Sequence, residues 1–266
     1  MGANTKVLRN RIKSVDSTLH LTKAMGLVAS SKMRRVIIAM EKAKQYEQAF
    51  TDAVNTLLAC PESKKSVYAK KTDGEKVKII VIAGDRGLAG GYNANVFRFM
   101  RSYPNADVVA IGKRAFDRYG NGYKSAEQFS LVEGVELATS LCKDFAEGKY
   151  DKVAIVSTKY ISMMSQEVAI RQILPLEAKE SLKSTMIFEP DEKTILESVV
   201  KEYIAGLIVK EARESFASEI TARRFAMDSA GKNAQEMIDN LQLEYNRARQ
   251  GAITQELTEI VAGSGI

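Results

Sequence analysis

All four prolines of this chain, Pro61, Pro104, Pro175 and Pro190, fall between residues 61 and 190. Proline lacks a backbone donor and clashes with the preceding helical turn, so a regular helix seldom runs through it. Two stretches, 1–60 and 191–266, are therefore free to be continuous helices on either side of a punctuated middle. The first of them has only Gly2 and Gly26 as further breakers.

The first stretch carries a sustained seam. Steps of four and three from Leu8 pass through Ile12, Val15, Leu19, Thr22, Gly26, Ala29, Met33, Val36, Met40, Ala43, Glu47, Phe50, Val54 and Leu57, and twelve of these fifteen positions are apolar. A 3.5-residue period held over seven heptads predicts a left-handed coiled coil. About 55 helical residues would extend roughly 80 Å, more than a small domain is wide. In the last stretch the same step gives Phe216, Ile220, Arg223, Met227, Ala230, Ala234, Met237 and Leu241. Beyond it, Ile253, Leu257, Ile260 and Val261 mark a further apolar face. Arg223 is the anomaly: a guanidinium in a seam must snorkel out or meet an acidic or carbonyl partner.

Charge agrees with pairing. Residues 1–60 carry ten Lys and Arg against four Asp and Glu, whereas residues 191–266 carry nine against thirteen. Two helices leaving one middle domain pair most simply as an antiparallel stalk. The second is longer by about fifteen residues, or ~22 Å, so one end is expected to be a lone helix. A lone helix in water is marginal and calls for a surround.

The middle alternates strands and helices, which predicts a mostly parallel sheet with helices packed on it. Expected strands are Val77–Ala83, Asp107–Ile111, a weaker Tyr123–Phe129, Lys152–Ile161 and Val168–Leu174, the last two paired as a hairpin. Expected helices start near Asn93 and cover Lys113–Tyr119 and Val135–Glu147. Residues 62–76, with five lysines, read as a mobile link. The fold class is thus α/β plus long coiled coil. Its parts are an N-terminal helix over 1–60, a Rossmann-like α/β domain over 61–190 and a C-terminal helix over 191–266.

Composition disfavours catalysis by this chain. Its one histidine, His20, lies in a helical stretch, so triads and His-rich metal sites lack their usual member. Cys60 and Cys142 stand far apart without a metal-binding motif, which fits a reducing compartment and no zinc. Neither a cofactor nor a metal is expected. The run Gly84-Asp85-Arg86-Gly87-Leu88-Ala89-Gly90-Gly91 follows a strand as phosphate loops do, but its spacing matches neither common phosphate-binding pattern. It reads as a tight turn closed by an Asp85–Arg86 contact. No apolar run is long enough to span a membrane. The basic residues before position 40, among them Lys6, Arg9, Arg11, Lys13, Arg34 and Arg35, leave one alternative: a coiled-coil protein that binds nucleic acid.

Three runs resemble one family. Thr22-Lys23-Ala24-Met25-Gly26-Leu27-Val28-Ala29-Ser30-Ser31-Lys32-Met33 is similar to the N-terminal helix of the gamma subunit of rotary F-type ATP synthases, bacterial-like in form. Asp85–Gly91 resembles that family's middle-domain turn, with Ala89 where cysteine is common. Ala248-Arg249-Gln250-Gly251-Ala252-Ile253-Thr254-Gln255-Glu256-Leu257-Thr258-Glu259-Ile260 resembles its C-terminal signature. The resemblance implies a non-catalytic rotor shaft inside a hexamer of alpha and beta subunits, docked on epsilon and the membrane c-ring. It implies a peripheral place on the cytoplasmic face of a bacterial membrane, in single copy. It also implies beta-subunit contacts through Met25, Arg223, Gln250 and Thr254, with Arg249 and Glu256 as weaker additions. Met25 is expected beside the others across the helix pair.

Overall fold

The computed structural model describes residues 2–70, 74–177, 189 and 191–263, with side chains from Thr5 onward. Pro190 and residues 71–73 of the expected link lie outside the described residues. The elements in order are α1 (Gly2–Leu58), β1 (Val77–Ile82), α2 (Tyr92–Phe99), β2 (Asp107–Ile111), α3 (Lys113–Tyr119), β3 (Gly122–Tyr123), α4 (Leu131–Ala146), β4 (Lys152–Tyr160), β5 (Gln166–Leu174) and α5 (Glu192–Gly263). Each proline-free stretch is one helix, of 57 and 72 residues. The chain divides into two compact units, residues 1–30 with 223–266, and residues 31–222.

The larger unit holds a five-stranded sheet in the order β3-β2-β1-β4-β5. Strand β1 runs parallel to both neighbours, with Ile80 opposite Val109 and Ile155. Strand β5 closes the edge antiparallel to β4, which is the expected hairpin. The β1 sequence Val-Lys-Ile-Ile-Val-Ile is nearly all apolar because a central parallel strand is covered on both faces. Alternation then divides the core. Ile80 and Ile82 join Leu137, Leu141 and Phe145 of α4, and Leu57 and Ile204 of the two long helices. Ile79 and Val81 face Val96 and Met100 on the α2 side and Ala115 of α3.

Two expected features differ. The Tyr123–Phe129 strand shrinks to the two residues of β3, because the following backbone turns round Asp85 and buries Phe129 to 1% exposure. Helix α4 also starts four residues before the expected Val135, at a capping box in which Ser130 and Glu133 satisfy each other's backbone amides. The expected link is partly ordered as well. It forms short 3₁₀ turns over Glu62–Lys65 and Val67–Ala69, with Ser63 and Ser66 buried. There the Leu176 amide donates to the Tyr68 carbonyl at 2.7 Å.

The glycine-rich turn after β1 is tight, as expected, but the Asp85–Arg86 contact is replaced. Asp85 accepts from the amides of Lys113, Ala126 and Glu127 and from the Ser125 hydroxyl, at 2.8–3.1 Å. Arg86 gives its carbonyl to the Asn93 amide, whose oxygen in turn takes the Gly84 N–H at 2.9 Å. A fixed carboxylate in the middle of this turn repels a phosphate. Gly112, at φ +100°, lies so close to the Ala83 carbonyl that no side chain fits.

In the smaller unit the two helix segments pair antiparallel. Gly26 lies against Met227, and Gly231 lies against Leu19 and Thr22. Residue numbers facing each other therefore sum to about 253. Leu19, Ala234 and Ile238 form a small core with Ile12 and Val15. All fifteen seam positions of α1 are buried or half-buried. On α5 the seam shifts by one residue: Ile238 is 5% exposed and Met237 is 45% exposed, so Gly231 and Ile238 replace the expected Ala230 and Met237. Glycine is invisible to an apolar count, yet it lets the backbones approach at this point.

Candidate functional site

Arg223 opens the α5 segment of the helix pair and is 9% exposed. The residue has an interaction partner there, as a buried cation must. Met25 is half-buried on α1. The register places Met25 opposite residue 228, five residues from Arg223 and roughly 8 Å along the axis. Met25 is also the centre of an apolar stripe, with Leu21 and Val28 exposed at 59% and 58% one turn to either side. The stripe lies on a different face from the seam, so the seam's period gives no sign of it.

Gln250 and Thr254 lie elsewhere. The same register puts Gln250 opposite residue 3, roughly 33 Å from Met25. The six expected contact residues thus form two groups, and Met25 is beside Arg223 rather than beside Gln250 and Thr254. The separation follows from the antiparallel pairing, in which Gln250 lies 22 positions along α5 from the partner of Met25.

Among the described residues, the register leaves those of α5 past about 252 with no α1 residue opposite. This is the expected lone helix. Its side chains fall in two adjacent stripes, Arg249-Ile253-Glu256-Ile260 and Gln250-Thr254-Leu257-Val261, each spaced i, i+4, i+7, i+11. All eight are exposed, the four apolar ones by 48–68%. The second stripe begins polar and becomes apolar with rising residue number, whereas charged and apolar residues alternate along the first. The Thr254 hydroxyl donates to the Gln250 carbonyl at 3.0 Å, and its oxygen remains an outward acceptor. The second stripe offers directional contacts at one level and apolar ones beyond it.

His20 is 74% exposed on α1, with Nε2 3.7 Å from Asp16. Among the described residues no group of His, Cys, Asp and Glu is placed to hold a metal ion. Among them, too, no helix is long and apolar enough to cross a membrane. Lys32 of the basic face is bound to Glu127 at 2.6 Å, while the basic residues before it point to solvent.

Two long terminal helices with a central mixed α/β sheet define the fold of a central-stalk chain. The chain of the Euglena gracilis mitochondrial ATP synthase, in a structure of its OSCP/F1/c-ring in rotational state 3, has it with a TM-score of 0.69. That likeness covers 100% of this chain and 97% of the other at 18% identity. A family profile described as ATP synthase matches residues 4–265. The ATP synthase gamma chain of Ruminococcus albus is 41% identical, covering 98% of both chains. The sodium ion specific ATP synthase gamma chain of Acetobacterium woodii is 33% identical, covering 99% of both. The chain belongs to the ATP synthase gamma-chain family, the central stalk of the F-type enzyme. None of these likenesses supports the nucleic-acid alternative.

Proposed function

We propose that this chain is the rotor shaft that couples ion-driven turning of a c-ring to conformational change at the beta subunits. The observation that carries the reading is the lone helix. An exposed, partly apolar helix past residue 252 gains stability inside a sleeve, and a hexamer of alpha and beta subunits supplies one. Apolar side chains at Ile253, Leu257, Ile260 and Val261 turn against such a sleeve without directional bonds to break. Arg223 with Met25, and Gln250 with Thr254, Arg249 and Glu256, then make the stepwise contacts at two levels of the shaft. The parts act as helix 1–60, α/β domain 61–190 and helix 191–266. The middle domain docks epsilon and the ring on the cytoplasmic face of the membrane, and catalysis belongs to the beta subunits.

Purification from membranes through a tag on this chain tests the reading. Alpha, beta, epsilon and c subunits should co-purify, with rotation driven by ATP. Isolation of the chain without alpha and beta subunits would overturn it.

A further inference from the structure

In the larger unit the two long helices lie on the sheet through an apolar layer, including Leu57 of α1 and Leu196, Ile204 and Ile208 of α5. Apolar contact is non-directional, so by itself it resists separation better than sliding or turning. Directional bonds are distributed unevenly. On α5 they concentrate in one stretch, Glu211–Ser218. Glu211, fully buried, accepts from the Ser157 hydroxyl of β4 and from Arg171 of β5 at 3.4 Å. Ser215 takes the Thr158 amide at 3.3 Å and meets the Tyr92 hydroxyl at 2.7 Å. The Ser218 hydroxyl donates to the Thr158 carbonyl at 3.1 Å. Arg213 donates to the carbonyls of Glu127 and Phe129 at 3.1 and 3.0 Å.

Helix α1 is held by two ion pairs in the same unit, Glu47 to Arg171 at 2.7 Å and Lys32 to Glu127 at 2.6 Å. Glu47 is the charged member of the α1 seam, and Arg171 bridges it to Glu211. Burial pushes the Glu211 carboxyl up, but Lys210, Ser157 and Arg171 together hold it below the usual glutamate value. A buried ionic cluster gives little net stability over a well-packed apolar one. What it adds is a fixed direction.

We infer that the Glu211–Ser218 stretch of α5, bonded to Ser157, Thr158 and Arg171 of the β4–β5 hairpin, is the joint that carries twisting load between the sheet and the long helices. Helix α5 is the bolted member, and α1 follows through Glu47 and Arg171. Ser215, Ser218 and Glu211 are positioning residues: they act through the helix, at a distance from any nucleotide. The inference rests on the proposed rotor function and adds the path of the load to it.

The test is a single-molecule rotation assay on the reconstituted complex, with a bead on the rotor. Three forms are compared: the parent, Ser215→Ala with Ser218→Ala, and Glu211→Gln. Torsional stiffness is read from the bead's angular fluctuations in the arrested complex. Loss of the directional bonds should lower stiffness by at least about twofold and slow rotation under high drag. Unloaded ATP hydrolysis should stay at the parent's rate, which a merely destabilised chain would not give. Parent-like stiffness and loaded speed in both variants would overturn the joint. If the double variant fails to assemble, Glu211→Gln alone decides in the same way. A parent complex that hydrolyses ATP without turning this chain refutes the rotor reading instead, so the two failures are distinct.

Discussion

A β-carbon added to Gly26 would stand 3.7 Å from the β-carbon of Met227, an ordinary van der Waals separation. The helix pair therefore has room for a methyl group at this point. Glycine inside a helix costs about 1 kcal/mol relative to alanine. We predict that Gly26→Ala raises the stability of the helix pair by up to ~1 kcal/mol. Gly26→Leu should lower it by about 1–3 kcal/mol through overpacking. Thermal melts of both variants check the order, and a parent-like melt for the leucine variant would refute the packing at this point.

Leu19 is 4% exposed in the small core with Ala234 and Ile238. Leu19→Asp removes its apolar contact and introduces a charge into a seam. The expected loss is about 4 kcal/mol. Denaturant melts followed by circular dichroism should show the helix pair unfolding earlier while the sheet unit retains its transition. A single unchanged transition would count against the antiparallel register.

Asp85 closes the turn after β1 with four hydrogen bonds. Asp85→Ala leaves three amides and a hydroxyl without their acceptor, for an expected loss of about 3 kcal/mol. Asp85→Asn supplies one carbonyl in place of two oxygens and should lie between the two. Urea midpoints of the three forms check the ranking.

The pH dependence follows from carboxyls held below their ordinary values. Burial pushes Glu211 and Asp107 up, but Lys210 and Ser157 outweigh it at Glu211, and Lys78 and Tyr150 outweigh it at Asp107. A carboxyl depressed by folding stabilises the fold above its unfolded value and loses that contribution as pH falls through its folded one. The sheet unit should thus be stable at neutral pH and weaken as pH falls below the ordinary carboxyl range and through the lowered values of Glu211 and Asp107. Glu211→Gln should flatten the upper part of that decline. An identical acid profile in the variant would show that Glu211 does not contribute to it.

The proposed contact groups predict different costs for different cuts. Arg223→Ala or Gln250→Ala should leave the complex assembled and lower ATP-driven ion pumping by about tenfold, the worth of one charge-assisted bond. Deletion of residues 261–266 removes mainly sliding apolar surface and should cost much less. Pumping by reconstituted vesicles decides it: a dead deletion beside two normal point variants would invert the assignment.

The long helices were legible because one physical rule, the absence of proline, acts over whole segments. Their pairing face was legible because every seam residue of α1 obeys a single period. The slip from Ile238 to Met237 arose where Gly231 carries the seam, since a missing side chain leaves no apolar signal. Helix α4 and the Asp85 turn were blurred for another reason. Residues 123–129 look like a strand by composition, but the remote Asp85 carboxylate takes the amides of Ala126 and Glu127 and the Ser125 hydroxyl takes that of Gln128, which turns the backbone. The distance between Met25 and Gln250 was legible in principle from the two helix lengths, but it needed a register. Two glycine contacts supplied one.

The glycines of the seam each meet a larger partner: Gly26 lies against Met227, and Gly231 lies against Leu19 and Thr22. A side chain seated over a glycine fills the gap while letting helix axes come toward the short end of the usual 8–10 Å range. Two bonded rods resist bending according to the square of the distance between their axes, so exchanging either glycine for a bulky residue would change the bending stiffness of the pair as well as its stability.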